Sequence, residues 1–399
     1  MGVHGGPDIS EGGLVLALDG ANYKSFKGEA TTNEIASVTW SGDGSNQSGL
    51  VKSSVVVNED YLKYKGYETY LWTPGTSLNC YLNGSDLSTG RTSTVWTFSC
   101  YVKREDGAPI TSLSVYMYYP SSDGSSAGTI ENVGDGWYRV SRTRTGTNNY
   151  LSLIGFTGFA SGKKYYLSGA QLEKKSYPTT PTATNTTRGT TVATGGGWKS
   201  LVGNTNGELV NGVRESGDNL GSLDFDGTND YIDFGSDVVF KSSGGWTVES
   251  WVKYDAIPTT YNNTTSPANF IGSETITHNS WYWSVLESKL ALWNRSPGVW
   301  KYGSTILQAN TWYNAVLVCY NSGTSYQMYL NGIAEGGDHT TYSWNASYSG
   351  LNIRYIGRGN SANVRLVNGK IPITKVYDKS LTPQEIQQNF NALRGRFGI

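Results

Sequence analysis

The sequence predicts an all-β protein with two antiparallel β-sandwich domains and one short C-terminal helix. Composition is the first indication: 50 Gly, 28 Tyr and 13 Trp stand against three Met and 16% charged residues among 399 residues. Aromatic residues favour strands and glycines favour tight turns, so many short strands are expected. The length exceeds the size at which a single hydrophobic core usually stops growing, which predicts two domains.

Two octets that alternate apolar and polar residues predict matching strands. Residues 96–103 read WTFSCYVK and residues 246–253 read WTVESWVK, and strict alternation places every second side chain on one face of a strand. Each octet is followed later by an aromatic strand opening, at residues 136–140 and 311–315. The two halves are therefore predicted to be versions of one architecture.

A central strand and a hairpin are predicted further along the chain. Trp312–Tyr320 is apolar on both alternating faces, which is typical of a strand packed on two sides. Tyr326–Leu330 runs into Asn331-Gly332, the dipeptide that best tolerates the positive φ values of a type I′ turn. A hairpin is predicted here, with the return strand starting near Ile333.

One helix is predicted, close to the C-terminus. Thr382 is a candidate N-cap, with Pro383 at the first helical position and Glu385 completing a capping box. The helix is predicted to end at Gly395. Its apolar face, formed by Ile386, Phe390 and Leu393, is predicted to pack on the C-terminal sandwich.

The segment from Tyr177 to Gly197 is predicted to be a connector between domains. It contains Pro178, Pro181, many Thr and three consecutive Gly at its end, a composition typical of loops rather than packed elements. A second, weaker compositional break lies at residues 28–33.

Charge and the N-terminus exclude several classes of protein. The formal net charge is −1 and no run of like charge occurs, so neither nucleic-acid binding nor membrane insertion is expected. Residues 1–10 have neither a basic nor an apolar signal region, so Sec-type export is not expected.

The three cysteines are predicted to have no redox role. They are odd in number, widely spaced and free of CxxC spacing, and both Cys100 and Cys319 lie inside apolar strand patterns. Buried free thiols are expected, with a Cys80–Cys100 disulfide as the alternative.

Several segments in the second half of the chain resemble a known family. Gly221–Gly235 (GSLDFDGTNDYIDFG), the octet at 246–253, the pair WYNAVLVCY and YQMYLNG, and the ending from Gly369 resemble the laminin-G-like branch of the concanavalin A-like sandwiches. That ending is also similar to structural proteins of tailed bacteriophages, including cyanobacterial ones. The resemblance implies a jelly-roll fold and a place on a virion, although Pro372 stands where the family usually has an acidic residue.

The first half of the chain carries a second resemblance. FSCYVK at 98–103, GDGWYRVSRT at 134–143 and YLSGAQLEKKS at 166–176 are similar to the carbohydrate-binding-module-like domain of phage tail and fibre proteins. The implied fold is another β-sandwich.

The order of these resemblances predicts that one domain is inserted in the other. Gly12–Lys27 resembles the first strand of the laminin-G-like domain, which normally continues into a segment like Gly197–Val213. We therefore expect an N-terminal arm at residues 1–9 and a discontinuous laminin-G-like sandwich formed by residues 10–30 and 189–399. Residues 31–188 are expected to form a sandwich inserted in a loop of the first, since loop tips tolerate insertions. The strand Leu14–Leu18 should then pair antiparallel with the C-terminal domain.

No constellation of catalytic residues is evident. The cluster Asp224, Asp226, Asp230 and Asp233 lies where Asp and Gly shape turns, so turn structure is expected, with calcium binding as the alternative and no other cofactor. Three histidines lack metal-ligand spacing; they are His4, His278 and His339. The chain is therefore predicted not to be an enzyme.

Aromatic residues are the candidates for ligand contact, because sugar rings stack on Trp and Tyr while polar neighbours bind hydroxyls. One stretch of the C-terminal domain combines both kinds of residue: Trp281, Trp283, Trp293, Asn294, Arg295, Trp300 and Tyr302. Tyr116, Tyr118 and Tyr119 are a smaller candidate set in the insert. Core packing is the alternative role for all of them.

The expected function is that of a non-enzymatic bacteriophage virion surface protein, assembled in the host cytoplasm, that binds other virion proteins or a glycan. The expected partners are therefore virion proteins and a host-surface glycan, and a homo-oligomer is expected by analogy with virion appendages. Two alternatives stay open, a tail-fibre adhesin specific for a host glycan and a polysaccharide hydrolase with paired carboxylates.

Overall fold

The chain forms two compact units, one made of the residues up to 29 together with those from 189 onward, the other of residues 30–188. The computed structural model describes residues 8–22, 24–35, 40–41, 50–52, 67, 69–74, 80–83, 95–118, 125–145, 153–182, 186–216, 221–241, 244–260, 268–273, 281–294, 299–320, 325–336, 351–360 and 365–399.

Strands dominate both units. The first unit begins with β1 (Leu14–Asp19) and β2 (Phe26–Gly28). The insert then contains β3 (Thr31–Thr32), β4 (Trp40–Ser41), β5 (Leu50–Lys52), β6 (Thr69–Trp72), β7 (Cys80–Asn83), β8 (Val95–Arg104), β9 (Ser114–Tyr118), β10 (Ser125–Ala127), β11 (Thr129–Gly134), β12 (Trp137–Thr145), β13 (Leu153–Thr157), β14 (Tyr165–Glu173) and β15 (Thr187–Arg188).

The first unit resumes after the insert with a short 3-10 helix at Val192–Thr194. Its remaining strands and its α-helix are β16 (Gly197–Lys199), β17 (Asn206–Val210), β18 (Arg214–Ser216), β19 (Ser222–Asp226), β20 (Tyr231–Lys241), β21 (Trp246–Tyr254), β22 (Ala268–Gly272), β23 (Trp281–Leu286), β24 (Lys289–Asn294), β25 (Val299–Tyr302), β26 (Trp312–Tyr320), β27 (Ser325–Leu330), β28 (Ile333–Ala334), β29 (Leu351–Ile356), β30 (Asn368–Tyr377) and α1 (Pro383–Phe397).

Two antiparallel sheets form the sandwich of the first unit. The eight-stranded sheet has the order β18-β19-β30-β21-β26-β27-β28, with β1 also paired to β30, and the nine-stranded sheet has the order β2-β16-β17-β20-β29-β22-β23-β24-β25. One hydrophobic core contains residues of both sheets, among them Trp246, Leu317, Trp283 and Ile356. The predicted all-β jelly-roll class is confirmed.

Strand β1 belongs to the eight-stranded sheet although it precedes the insert in the chain. It pairs antiparallel with β30, for example Ala17 with Lys375, so the pairing predicted for Leu14–Leu18 is confirmed. Leu16 and Leu18 alternate along β1 and lie in the core, because every second side chain of a strand points to the same face.

Several local predictions in this unit are confirmed. The central strand predicted at Trp312–Tyr320 is β26, which has β21 and β27 as neighbours. The predicted hairpin joins β27 to β28, and both turn residues have positive φ, 51° at Asn331 and 79° at Gly332.

No helix in the described part of the chain is long and apolar enough to span a membrane.

Helix α1 begins as predicted and ends later than predicted. Thr382 and Glu385 form the capping box, with Pro383 in the first turn. Gly395 lies inside the helix, and the residue with left-handed backbone is Gly398 at φ 70°. The predicted end at Gly395 is wrong because tertiary packing of Phe397, which is buried against the sheet, carries the helix through the glycine.

The insert is a second sandwich of a five-stranded and a six-stranded sheet, ordered β10-β9-β13-β7-β4 and β11-β12-β8-β14-β6-β5. Its core includes Trp96, Phe98, Cys80, Cys100 and Phe156. The predicted octet strand at residues 96–103 is β8 and faces this core.

The connector prediction is wrong for the part of the segment that belongs to the insert. Thr179 is fully buried, and its backbone N–H and hydroxyl donate to the carboxylate of Glu173 at 2.8 and 2.6 Å. Arg188 donates to the Pro181 carbonyl at 2.8 Å. The segment packs because a buried carboxylate and a buried guanidinium supply the hydrogen bonds that its loop backbone needs.

All three cysteines are free and buried. The expectation that Cys100 and Cys319 are buried free thiols is therefore confirmed, and the alternative of a Cys80–Cys100 disulfide is wrong in this structure.

Candidate functional site

A row of side chains crosses six strands on the outer face of the nine-stranded sheet. The strand register connects each member to the next, and we call them the aromatic row: Asp233, Tyr355, Gly272, Tyr282, Trp293 and Trp300. Their chain neighbours Ile232, Ile356 and Leu292 lie in the core. The row therefore points away from the core.

The row is buried in its middle and partly exposed at both ends. Tyr282 and Tyr355 are buried, at 1% and 4% exposure, whereas Trp293 and Trp300 are half-buried. Tyr302 is also half-buried and lies two residues beyond Trp300 on β25, hence on the same face. We call Trp293, Trp300 and Tyr302 the tryptophan platform.

The platform rests on a fixed aromatic support. The rings of Tyr282 and Trp293 stack with centroids 4.9 Å apart and an interplanar angle of 12°, and Trp300 lies 6.4 Å from Trp293 at 45°. The Asn360 amide donates to the Tyr282 hydroxyl, and the Arg365 guanidinium lies 5.6 Å from the centre of the same ring. Asn360 and Arg365 thus contact Tyr282, on which the ring of Trp293 stacks.

The other end of the row is polar. Arg354 donates to the Asp233 carboxylate at 2.7 Å. Arg358 lies over the rings of Tyr231 and Tyr355, at 4.4 and 5.2 Å from their centres, distances typical of cation–π contacts. Guanidinium groups and aromatic rings thus alternate across this end of the face.

Two carboxylates are neighbours at this polar end. Glu208 of β17 pairs directly with Asp233 of β20, and it accepts a hydrogen bond from the Thr190 hydroxyl at 2.6 Å. Both carboxylates therefore have partners within the protein.

The predicted ligand set divides between the two faces of the sheet. Trp293, Trp300 and Tyr302 come together on the outer face. Trp281 and Trp283 are fully buried in the core, and Trp281 donates its indole N–H to the Asn352 carbonyl at 2.8 Å. Ligand contact is therefore wrong for these two residues, because alternation along β23 turns them inward.

The other two members of the predicted set are Asn294 and Arg295. Asn294 ends β24 opposite Val299, and Arg295 lies outside the described residues.

Sequence reasoning missed Tyr282 and Tyr355. The alternation of β23 places Tyr282 opposite to Trp281, whereas Tyr355 joins the row only through the pairing of β29.

The carboxylates of the aspartate cluster have partners within the protein. Asp224 binds Arg214 and Lys370, at 3.0 and 3.2 Å. Asp226 accepts from the Thr228 N–H at 2.7 Å, and the pKa of Asp230 is raised by burial. In the described ranges no three His, Cys, Asp or Glu side chains are grouped to hold a metal ion. The turn role expected from the sequence is confirmed for Asp226, whereas Asp224 lies inside β19 and Asp233 inside β20, and both form ion pairs there.

The remaining candidate residues are the histidines and the insert tyrosines. His4, His278 and His339 lie outside the described residues, as does Tyr119. Tyr116 contacts Tyr81 edge-on, with ring centroids 5.3 Å apart, and Tyr118 is the last residue of β9.

The comparisons with known proteins agree with this architecture. Residues 226–387 match a family model, Laminin_G_3, described as the concanavalin A-like lectin/glucanases superfamily. The match covers less than half of the chain and includes Tyr282, Tyr355 and the tryptophan platform. The first unit therefore has a concanavalin A-like jelly-roll fold of the lectin type. The comparison with curated protein sequences finds no match.

Solved structures give distant likenesses. Domain 4 of AbnA, an extracellular arabinanase of Geobacillus stearothermophilus in complex with arabinotriose, is 17% identical with a TM-score of 0.37, covering 48% of this chain and 92% of that one. Botulinum neurotoxin type C, whose cell entry depends on two ganglioside molecules, is 12% identical with a TM-score of 0.35, covering 49% of each chain.

A third likeness is the sialidase module CBM40 of Ruminococcus gnavus bound to α2,3-sialyllactose. It is 12% identical with a TM-score of 0.29, covering 37% of this chain and 82% of that one. Likenesses this distant carry no argument about function.

Proposed function

We propose that this chain is a non-enzymatic binding protein of a bacteriophage virion surface and that it binds a glycan on the tryptophan platform. The observation that carries the glycan proposal is the pair of half-buried indoles, Trp293 and Trp300, on the outer face of a lectin-type sheet. Sugar rings present C–H groups that pack on such rings. The stacked Tyr282 reduces the freedom that Trp293 loses on binding, which favours affinity.

If many copies of the chain lie on one virion, weak binding of a glycan at each copy would be sufficient for adhesion. A shallow platform gives modest affinity per site, and many copies on one particle raise avidity by about 10² to 10⁴. The ending of the chain, which resembles tailed-phage structural proteins, supports this location, and the alternative of a specific tail-fibre adhesin uses the same platform. Immunogold labelling of phage particles with antibodies against the chain tests the location; labelling of neither head nor tail would contradict it.

The glycan proposal is tested on an array with the protein coupled in many copies to beads. Trp293→Ala and Trp300→Ala should each weaken binding by about tenfold per site, the effect of losing roughly 1.4 kcal/mol of stacking. Trp293→Phe should retain part of the binding. Tyr116→Ala in the insert is the matched aromatic control and should bind like the wild type.

Two results would contradict the platform as the binding site. One is unchanged binding by both tryptophan variants, with melting temperatures showing that they are folded. The other is loss of binding in Tyr116→Ala alone, which would move the site to the insert.

The hydrolase alternative depends on one pair of carboxylates, Glu208 and Asp233. A glycosidase needs two carboxyl groups facing one sugar, whereas here Asp233 is held by Arg354 and Glu208 by Thr190. We expect no shortening of any polysaccharide that the array identifies. Depolymerisation that disappears in Asp233→Asn or Glu208→Gln would show that the non-enzymatic proposal is wrong.

A further inference from the structure

A buried amine, carboxylate and amide meet beneath α1 on the outer face of the eight-stranded sheet. Strand β21 carries Glu249 and lies between β30, which carries Lys375, and β26, which carries Asn314. Glu249 pairs directly with Lys375, and Asn314 pairs with Trp251, the next residue of β21 on the same face. Lys375 and Asn314 therefore reach Glu249 from opposite sides.

Both groups contact the same carboxylate oxygen. The Lys375 Nζ lies 3.3 Å from Glu249 Oε1, and the Asn314 Nδ2 donates to that oxygen at 3.1 Å. Asn389 of α1 donates to the other oxygen, Oε2, at 2.8 Å. One carboxylate thus gathers an amine and two amides within hydrogen-bond distance.

The site excludes water. Glu249 and Asn314 are fully buried, Asn389 is 1% exposed and Lys375 is 4% exposed. Apolar side chains occupy the same face under the helix, among them Trp251, Ile373 and Phe390. Charges are costly in such surroundings unless they are paired, and here the Lys375 ammonium and the Glu249 carboxylate are paired with each other.

The Asn314 amide has an unsatisfied atom. Its Oδ1 is buried and has no hydrogen-bond donor in the part of the chain that the structure describes, which is unusual for a buried carbonyl. Rotation of the amide about its terminal bond brings Oδ1 to Glu249. A protonated Glu249 then donates to this oxygen and polarises the carbonyl carbon of Asn314.

We propose that Lys375 and Asn314 form an intramolecular isopeptide bond, with Glu249 as the proton acceptor and donor. Glu249 takes one proton from the Lys375 ammonium, and Nζ forms a bond to Cγ of Asn314 while the bond from Cγ to Nδ2 breaks. One of the two protons on Nζ stays on the new amide, and the other leaves with Nδ2 as ammonia. The proton on Glu249 follows the ammonia, which restores the carboxylate.

The bond joins β26 to β30 across β21 and closes the chain between residues 314 and 375 into a covalent loop. It would resist mechanical and proteolytic opening of the sheet that carries α1. This inference does not depend on glycan binding, because the cluster and the tryptophan platform lie on different sheets.

The mass of the intact, denatured full-length chain decides the proposal. We expect a mass lower than that of the sequence by one ammonia, and a branched tryptic peptide that joins the segments containing Asn314 and Lys375. A full mass after prolonged incubation of the folded protein would overturn the proposal. So would an ammonia loss without the branched peptide, which would report a succinimide, or a branch at Asn389.

Variants identify the role of each group. Lys375→Met and Asn314→Ala remove the two reacting groups, and Glu249→Gln removes the proton acceptor, so all three should retain the full mass. Lys370→Met is the matched control, because Lys370 lies on the same strand and binds Asp224 instead; it should lose ammonia as the wild type does. The wild-type mass remains decisive even where a variant fails to fold.

Discussion

Cys80 and Cys100 face one core in the insert, and both are held there as neutral thiols. Burial raises the pKa of each thiol, since the thiolate would lose its hydration. The folded pKa of these thiols lies above that of the unfolded chain. The free energy of unfolding is therefore fully present below about pH 8.5, where the thiols are neutral in both states, and it falls as the pH rises further.

The native protein should therefore resist thiol reagents. At about pH 8.5, where roughly half of the thiols of an unfolded chain are ionised, iodoacetamide should label the native protein slowly. The same protein in guanidinium should react quickly at Cys80, Cys100 and Cys319. Rapid native labelling, located by peptide mass analysis, would show that a thiol is accessible and that the buried assignment is wrong.

At the scale of the element, α1 is attached to the sandwich by aromatic stacking. Phe390 and Phe397 stack on the indole of Trp251, at 5.9 and 4.1 Å between ring centroids. Ile386 packs in a neighbouring apolar cluster, and Leu393 is partly buried against the aromatic one. The docking predicted through Ile386, Phe390 and Leu393 is confirmed, and Phe397 extends it.

Removing one of these rings should weaken the first unit measurably. Phe390 is 8% exposed, and Phe→Ala at a buried position usually costs about 3 to 5 kcal/mol. Phe390→Ala should lower the free energy of unfolding of this unit by about 3 kcal/mol in a denaturant titration. Gln384→Ala, an exposed change in the same helix, should stay within about 0.5 kcal/mol of the wild type. Equal effects of the two changes would count against docking.

At the scale of the whole molecule, the chain passes between the units at two points, and in each unit a pair of strands is hydrogen-bonded next to these points. In the insert, Thr31 of β3 pairs with Arg188 of β15, and Glu173 accepts from the Thr31 hydroxyl at 2.6 Å. In the first unit, Gly28 of β2 pairs with Gly197 of β16. The two ends of each unit are thus brought together by its own hydrogen bonds.

This closure predicts that the units fold separately. Residues 30–188 expressed alone should unfold cooperatively, and so should the remaining chain with a short Gly-Ser linker in place of the insert. Calorimetry of the two fragments should reproduce the transitions of the full chain. A fragment that lacks a cooperative transition would show that its unit depends on the other.

The sequence by itself determined the features that depend on neighbouring residues. Capping at Thr382, positive φ at Asn331 and Gly332, and alternation in the two octets follow from short-range sterics and hydrogen bonding. These rules need no knowledge of the rest of the chain. They predicted the strand class, the hairpin and the start of the helix.

Tertiary structure decided which aromatic residues are available to a ligand. Alternation shows that Trp281 and Tyr282 lie on opposite faces of β23, but only the packing of the second sheet determines which face is the core. Tyr355 joins Trp293 on one surface because β29 pairs with β22, a contact between distant parts of the chain. Long-range pairing also brings Lys375 and Asn314 to Glu249, because β30 and β26 flank β21 only once the eight-stranded sheet has formed.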